Sequence, residues 1–178
     1  PDTPIPDKLN SRGTQLWNGA GAAIWHAPTI DPENRAVYVA TGDSYTVPAH
    51  INSDAVMAID MDTGELLWSV QDWKNDSWLV ACGQNPTENC PQPLGPDFDF
   101  GTSPILRSLP GGQRALIAGQ KSGFVFAHDP DQDGKLLWKA ELVENAGDAE
   151  ILFGGAADET TAYFGLDDGT LAALDIST

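Results

Sequence analysis

What most constrains this chain is a unit that it uses three times. An apolar run closed by Asp leads through a short turn ending in Gly to a second run ending in Trp. Asp54-Ala55-Val56-Met57-Ala58-Ile59-Asp60 passes through Met61-Asp62-Thr63-Gly64 into Glu65-Leu66-Leu67-Trp68. Gly123-Phe124-Val125-Phe126-Ala127-His128-Asp129 passes through Pro130 to Gly134 into Lys135-Leu136-Leu137-Trp138, and Gly169 to Thr178 starts a third copy that stops inside the turn. A glycine closing a short loop supplies the positive φ that a hairpin needs, so each copy reads as two antiparallel strands. Before the first copy, Ala36 to Thr41 is a further strand of β-branched and aromatic residues, entered from the turn Asp31-Pro32-Glu33-Asn34.

The closing aspartates, Asp60, Asp129 and Asp175, stand 69 and 46 residues apart. A period of about 40 to 50 residues suits four-stranded propeller blades, so the first interval holds an insertion of about 23 residues, placed at about 72–101. Long insertions between repeats commonly project on the functional face. The inner runs are apolar at consecutive positions, as in strands covered on both faces by neighbouring blades. The expected fold is all-β: a partial β-propeller of about three antiparallel, four-stranded blades from a presumed eight-bladed ring, with residues 1–178 a fragment of one propeller domain. Such a fragment exposes one or two apolar blade faces. Pro1 to Asn10, with three prolines, reads as an extended connection, and Trp17 reads as a packing residue of the core or between blades.

Composition narrows the function. A formal charge of −17, with no cluster of Lys or Arg to offset it, argues against nucleic-acid binding and permits divalent cations or a cationic partner. The longest small or apolar run, Gly19 to Trp25, falls far short of the roughly 20 residues of a membrane span. Cys82 and Cys90 are spaced wrongly for a Cys-x-x-Cys site; a disulfide closing a short loop, which would point to an oxidising compartment such as a periplasm, and two free thiols are the two readings.

Several chemistries lack their carriers. Asp129-Pro130-Asp131-Gln132-Asp133-Gly134 begins like an EF-hand loop, but Ala140 stands where a bidentate Glu is needed, so the segment reads as an acidic turn. His26, His50 and His128 have no paired metal-ligand spacing, and His128 falls at the position of Ile59 and Leu174 in the repeat, as a packed strand residue would. Neither a Gly-x-Ser-x-Gly elbow nor a phosphate-binding Gly-x-Gly-x-x-Gly loop is present.

The run Ala58 to Trp68 resembles the tryptophan-docking repeat of the pyrroloquinoline quinone (PQQ) dehydrogenases, eight-bladed propellers with cofactor and calcium near the centre of one face. Ile24-Trp25-His26-Ala27-Pro28, followed by Val37 to Asp43, is similar to that family's Trp, strand and Thr-Gly-Asn/Asp element. The resemblance implies that the Trp25 indole is the floor on which the quinone stacks and that Asp43 is a calcium ligand. Gln120-Lys121-Ser122-Gly123 is similar to the Lys-x-Gly element, which implies that Lys121 contacts the quinone oxygens. The stretch from Asp54 through Asn75-Asp76-Ser77-Trp78, Cys82 and Cys90 to Gly95-Pro96-Asp97-Phe98-Asp99-Phe100-Gly101 looks like the polyvinyl-alcohol dehydrogenase branch.

There is one departure. Alcohol-oxidising relatives carry an Asp after the Trp of Asp-x-Trp-Asp as general base, and Leu79 follows Trp78 here; Asp76 is the expected substitute, with Asp97 and Asp99 as alternatives. The implied activity is oxidation of a secondary alcohol, polymeric ones included, with PQQ and calcium, in the periplasm or outside the cell, with electrons leaving for a cytochrome. The family's Glu calcium ligand and several cofactor contacts come from earlier blades, so this segment needs the rest of its propeller and is expected to be inactive alone. The other readings are a non-catalytic propeller scaffold of the outer-membrane assembly type and, more remotely, a calcium-stabilised adhesion module.

Overall fold

The computed structural model describes residues 3–177, and these form strands and turns with no helix. β1 (Ile5–Leu9) and β2 (Gln15–Asn18) pair as an antiparallel hairpin. β3 (Thr29–Asp31), β4 (Ala36–Ala40), β5 (Ala55–Asp60) and β6 (Leu66–Gln71) make a four-stranded antiparallel sheet in chain order. β7 (Ile105–Ser108), β8 (Arg114–Gly119), β9 (Phe124–Asp129) and β10 (Lys135–Glu141) make a second, and β11 (Gly155–Ala157), β12 (Thr161–Gly165) and β13 (Leu171–Asp175) a three-stranded third. The architecture is an open, partial β-propeller. Pro1, Asp2 and Thr178, where the third copy stops inside its turn, lie outside the described residues.

The repeat reaches down to its irregularities. In the first blade Ala58 pairs with Trp68 and Ile59 with Leu66, so Leu67 bulges out of register. In the second, Ala127 pairs with Trp138 and His128 with Leu136, so Leu137 bulges at the equivalent place. A bulge one residue after the turn increases the local twist, which is how each outer strand leans over its neighbour.

Consecutive apolar residues in β8 and β9 are explained by cores on both sides of the second blade. Leu116, Ala118, Phe124 and Phe126 face the first blade and pack with Tyr38, Ala40, Val56, Ala58 and Phe100. Ala115, Ile117, Val125 and Ala127 face the third and pack with Ile151, Ala162, Phe164 and Ile176. Each of the larger fully buried side chains contributes roughly 1.5–3 kcal/mol of transfer free energy. Trp68 stacks at a tilt on Tyr38, with centroids 6.0 Å apart. His128 is a buried β9 residue whose Nδ1 meets the Gly134 carbonyl at 2.8 Å and whose Nε2 meets Asp72 Oδ2 at 3.0 Å, tying the second blade to the end of the first. Asp129–Gly134 forms the β9–β10 turn, with Asp129 Oδ1 accepting the Asp131 N–H at 2.9 Å and Oδ2 the Gln132 side-chain amide at 2.6 Å.

Two readings of the N-terminal stretch differ from what is found. Residues 5–9 are a strand, not a bare connection, and Trp17 is 52% exposed on its partner strand instead of packed in a core. β1 is exposed at every position, so it shows no alternation of buried and exposed residues, and Pro4 and Pro6 disguise a pairing made mainly by backbone groups. The β6–β7 connection contains the Cys82–Cys90 disulfide.

Candidate functional site

The site begins where β4 runs out. Thr41 still pairs with Ala55, its N–H donating to that carbonyl at 2.9 Å. The next three residues are gripped on two sides. Ala22 donates to the Asp43 carbonyl (2.7 Å) and Tyr45 to the Ala20 carbonyl (2.9 Å) on one side; Ser44 donates to the Asp76 carbonyl (3.2 Å) and Trp78 to the Ser44 carbonyl (2.8 Å) on the other. Asp43 is therefore fixed by the segment before the blade and by the insertion after it. Its Oδ2 accepts the Trp78 N–H at 2.9 Å.

The second wall is Asp97-Phe98-Asp99-Phe100. Phe98 and Phe100 are buried, Phe98 edge-on to Trp73 with centroids 4.7 Å apart. The two aspartates point instead toward Lys121 at the β8–β9 turn. Lys121 Nζ donates to Asp97 Oδ1 at 2.8 Å and Asp99 Oδ2 at 2.6 Å, and its backbone N–H donates to the Asp99 carbonyl at 2.9 Å. Asp99 Oδ1 accepts the Asp43 N–H at 2.6 Å. A side chain on Gly42 would collide with the Asp99 carboxylate, so this approach requires glycine there.

Trp25 completes the arrangement. Lys121 Nζ lies 5.7 Å from the centroid of its ring, within cation–π range. The indole is 43% exposed and lies against the chain at Gly101, where a Cβ would come within 2.8 Å of the ring. Before it opens a cavity of about 290 Å³ shared with His26, Ser103 and Phe153.

Electrostatics here are unbalanced. Asp43, Asp97 and Asp99 each place a carboxylate oxygen within 4.8 Å of the others. Burial, then the neighbouring Asp99, pushes Asp43 up. Burial also raises Asp97 against the hydrogen bond from Lys121, whereas at Asp99 the bonds from Lys121 and the Asp43 side outweigh burial and hold it below its ordinary value. Lys121 loses charge affinity to burial but gains more from Asp97 and Asp99, so it stays protonated. Behind them Asp54 is fully buried, neither carboxyl oxygen has a hydrogen-bond partner among the described residues, and burial with Asp76, Asp99 and Asp43 pushes it up to about 9. Oxygen ligands crowded around too little positive charge suit a hard divalent cation, and the exposed indole beside a lysine suits a flat anionic ring system. The donor set thus fits calcium and a quinone of the PQQ type.

Asp76 lies beneath the second wall. It is fully buried, with Oδ1 and Oδ2 accepting the N–H groups of Asp97 (3.2 Å) and Phe98 (2.7 Å), so it holds the insertion's return instead of facing the cavity.

A family model described as outer membrane protein assembly factor BamB, of the PQQ repeat type, matches residues 8–154. The chain belongs to the PQQ-type propeller family. Within that family it is 46% identical over 165 residues to a polyvinylalcohol dehydrogenase of Pseudomonas sp., covering 93% of this chain and 26% of that protein. It is 32% identical over 153 residues to the quinohemoprotein alcohol dehydrogenase ADH IIB of Pseudomonas putida, covering 76% of this chain and 20% of that protein. The solved quinohemoprotein alcohol dehydrogenase ADHIIG of P. putida HK5 superposes with a TM-score of 0.53 at 23% identity, over 70% of this chain and 17% of that one, a likeness of fold. The chain spans about a quarter of the length of the polyvinylalcohol dehydrogenase it matches. As in any PQQ-type propeller, adjacent blades bring their loops to one end, and here that end gathers Trp25, Asp43 and Lys121.

Proposed function

We propose that this chain is the part of a PQQ- and calcium-dependent dehydrogenase that carries the general base, the aromatic floor and one cation ligand, and that it acts on a secondary alcohol, including one borne on a polymer. The single observation that carries the reading is the convergence on Lys121, which bonds Asp97 and Asp99 and overlies Trp25. A scaffold has no use for that meeting of an indole, a lysine and clustered carboxylates.

In this reading Trp25 supports the quinone, Asp43 contributes an oxygen to the calcium ion, and Lys121 offers positive charge to the quinone oxygens. When bound, the quinone and the cation supply the hydride acceptor and the Lewis acid. The remaining work belongs to the chain. Asp99 takes the hydroxyl proton of the alcohol. Phe98-Asp99 provides the aromatic-then-Asp order that Trp78-Leu79 lacks, Asp99 is ionised, and a carboxylate with about four lone-pair sites keeps accepting capacity beside its bonds to Lys121 and Asp43. Asp97 shares Lys121 and tempers its charge. The periplasm as location and a cytochrome as electron acceptor belong to the same reading.

The non-catalytic scaffold is the second reading, favoured by the description of the matching family model. One experiment separates them. In the intact protein supplied with PQQ and calcium, Asp99→Asn should lower kcat for a secondary alcohol by about 10²–10⁴-fold, with Asp97→Asn and Asp76→Asn each retaining more activity. Unchanged turnover in Asp99→Asn removes the assignment of the base; absence of turnover in the unaltered protein favours the scaffold.

A further inference from the structure

A second cavity, larger than the one before Trp25, lies away from it. A cleft of about 470 Å³ opens between the β1–β2 hairpin and the loop closed by Cys82–Cys90. Its walls include the half-exposed Trp17, Tyr45 and Leu79, together with Asn18, Asn89 and Gln92. The hairpin is pinned across the opening. Ser11 donates to Glu88 through both its N–H (2.8 Å) and its hydroxyl, the Asn10 side chain reaches Asn89 at 3.4 Å, and Thr46 Oγ1 accepts from Gly19 and Ala20 at 3.1 and 3.3 Å. The cleft is thus built, not a gap between loose loops.

Two residues join it to the site already described. Tyr45, in the cleft wall, follows Asp43 by two positions on the same gripped segment, its N–H donating to the Ala20 carbonyl at 2.9 Å while Ala22 donates to the Asp43 carbonyl at 2.7 Å. Leu79 follows Trp78, whose N–H holds the Asp43 carboxylate. The lining has a particular chemistry. Trp17 and Tyr45 offer flat apolar faces, and the side-chain amides of Asn18 and Gln92 stand in the same lining. Apolar platforms with amide donors and acceptors alongside match a chain in which CH₂ and CHOH groups alternate. The volume lies within the roughly 300–1,000 Å³ of small-molecule sites, more than the carbon being oxidised requires.

We infer that this cleft is a subsite for the stretch of polyhydroxylated substrate flanking the reacting carbinol, with Trp17 as its platform and Asn18 and Gln92 as hydroxyl partners. The inference rests on the proposed dehydrogenase reading for its place beside the Asp43 segment, and on the cleft's own walls for its substrate class.

The test uses the intact protein with Trp17→Ala and, separately, Gln92→Ala, both at exposed positions, with thermal melts to establish that each variant folds. Two substrates are compared: a small secondary alcohol, and a short poly(vinyl alcohol) oligomer as a 1,3-polyol. Binding of the oligomer without turnover is followed in parallel by calorimetry. Trp17→Ala should raise KM and weaken binding for the oligomer by about tenfold while leaving the small alcohol within about twofold. Equal losses on both substrates, or none on either, overturn the subsite. If the unaltered protein binds the oligomer through Trp17 and oxidises neither alcohol, the dehydrogenase reading fails and the cleft stands. If it oxidises both but Trp17→Ala changes nothing, the cleft fails alone. If it neither binds nor oxidises, both are lost.

Discussion

Asp54 is the residue with the most unfavourable surroundings, a fully buried carboxyl without a partner among the described residues, at a φ of 49°. A folded-state value raised from 3.8 to about 9 means that it stays protonated; the stability tied to that proton is fully present below the unfolded value and is lost as pH rises through the folded one. Asn cannot ionise and tolerates the left-handed backbone. Asp54→Asn should therefore be stabilising, and in chelator its advantage in urea unfolding should widen with pH between about 4 and 9, by at most about 1.4 kcal/mol per unit. A pH-independent difference would mean that Asp54 is ionised in the fold. At this scale the sequence was half legible. Trp25, Asp43 and Lys121 stand on recognisable local patterns, and the departure at Leu79 left Asp76, Asp97 and Asp99 as candidate bases, of which Asp99 is the one proposed above. In Asp97-Phe98-Asp99-Phe100 the two rings go into the core and the two carboxylates to Lys121, a division the sequence order suggests. What sequence did not convey is that Asp76 is consumed by the backbone of that same segment.

Among the elements, strands carrying side-chain pattern were readable and strands without it were not. β5 and β9, with apolar residues on both faces, fall within a residue of the expected spans. β1 is held by its backbone and by Glu88 across the cleft, contacts no local pattern encodes. The insertion is the element on which the site depends, since it supplies Trp78, Asp97 and Asp99. Its disulfide closes a loop over a separation of 8 residues. Replacing both Cys82 and Cys90 by Ser should cost about 2–3 kcal/mol in unfolding free energy, from loop-closure entropy alone. It should also loosen Glu88 and so free the β1–β2 hairpin, seen as faster amide exchange at residues 5–18. Unchanged exchange there would show that the hairpin stands without the loop.

As a whole molecule the chain is two four-stranded blades and a three-stranded third, joined by cores on either side of β8 and β9. Its outer surfaces are unfinished. The row Ile30, Val37, Ile59 and Leu66 on the first blade faces outward with Ile30 and Leu66 exposed, and Tyr163 and Leu171 are exposed on the third. Those faces are where the rest of the propeller would pack. That shape was legible because the repeat dictates it, whereas the meeting of Lys121 with Asp99 joins residues 22 positions apart, one in the β6–β7 connection and one in the β8–β9 turn, and follows from how the insertion returns to the second blade. In the proposed function this meeting holds a quinone over Trp25 and a divalent cation at Asp43. The most direct measurement is titration of the intact protein with PQQ, followed by quenching of Trp fluorescence, with calcium and in chelator. Quenching that needs calcium, is lost in Trp25→Phe and is shifted at least about tenfold toward higher calcium in Asp43→Ala is the predicted result. Quenching indifferent to calcium and to both substitutions, or no binding at all, would contradict it.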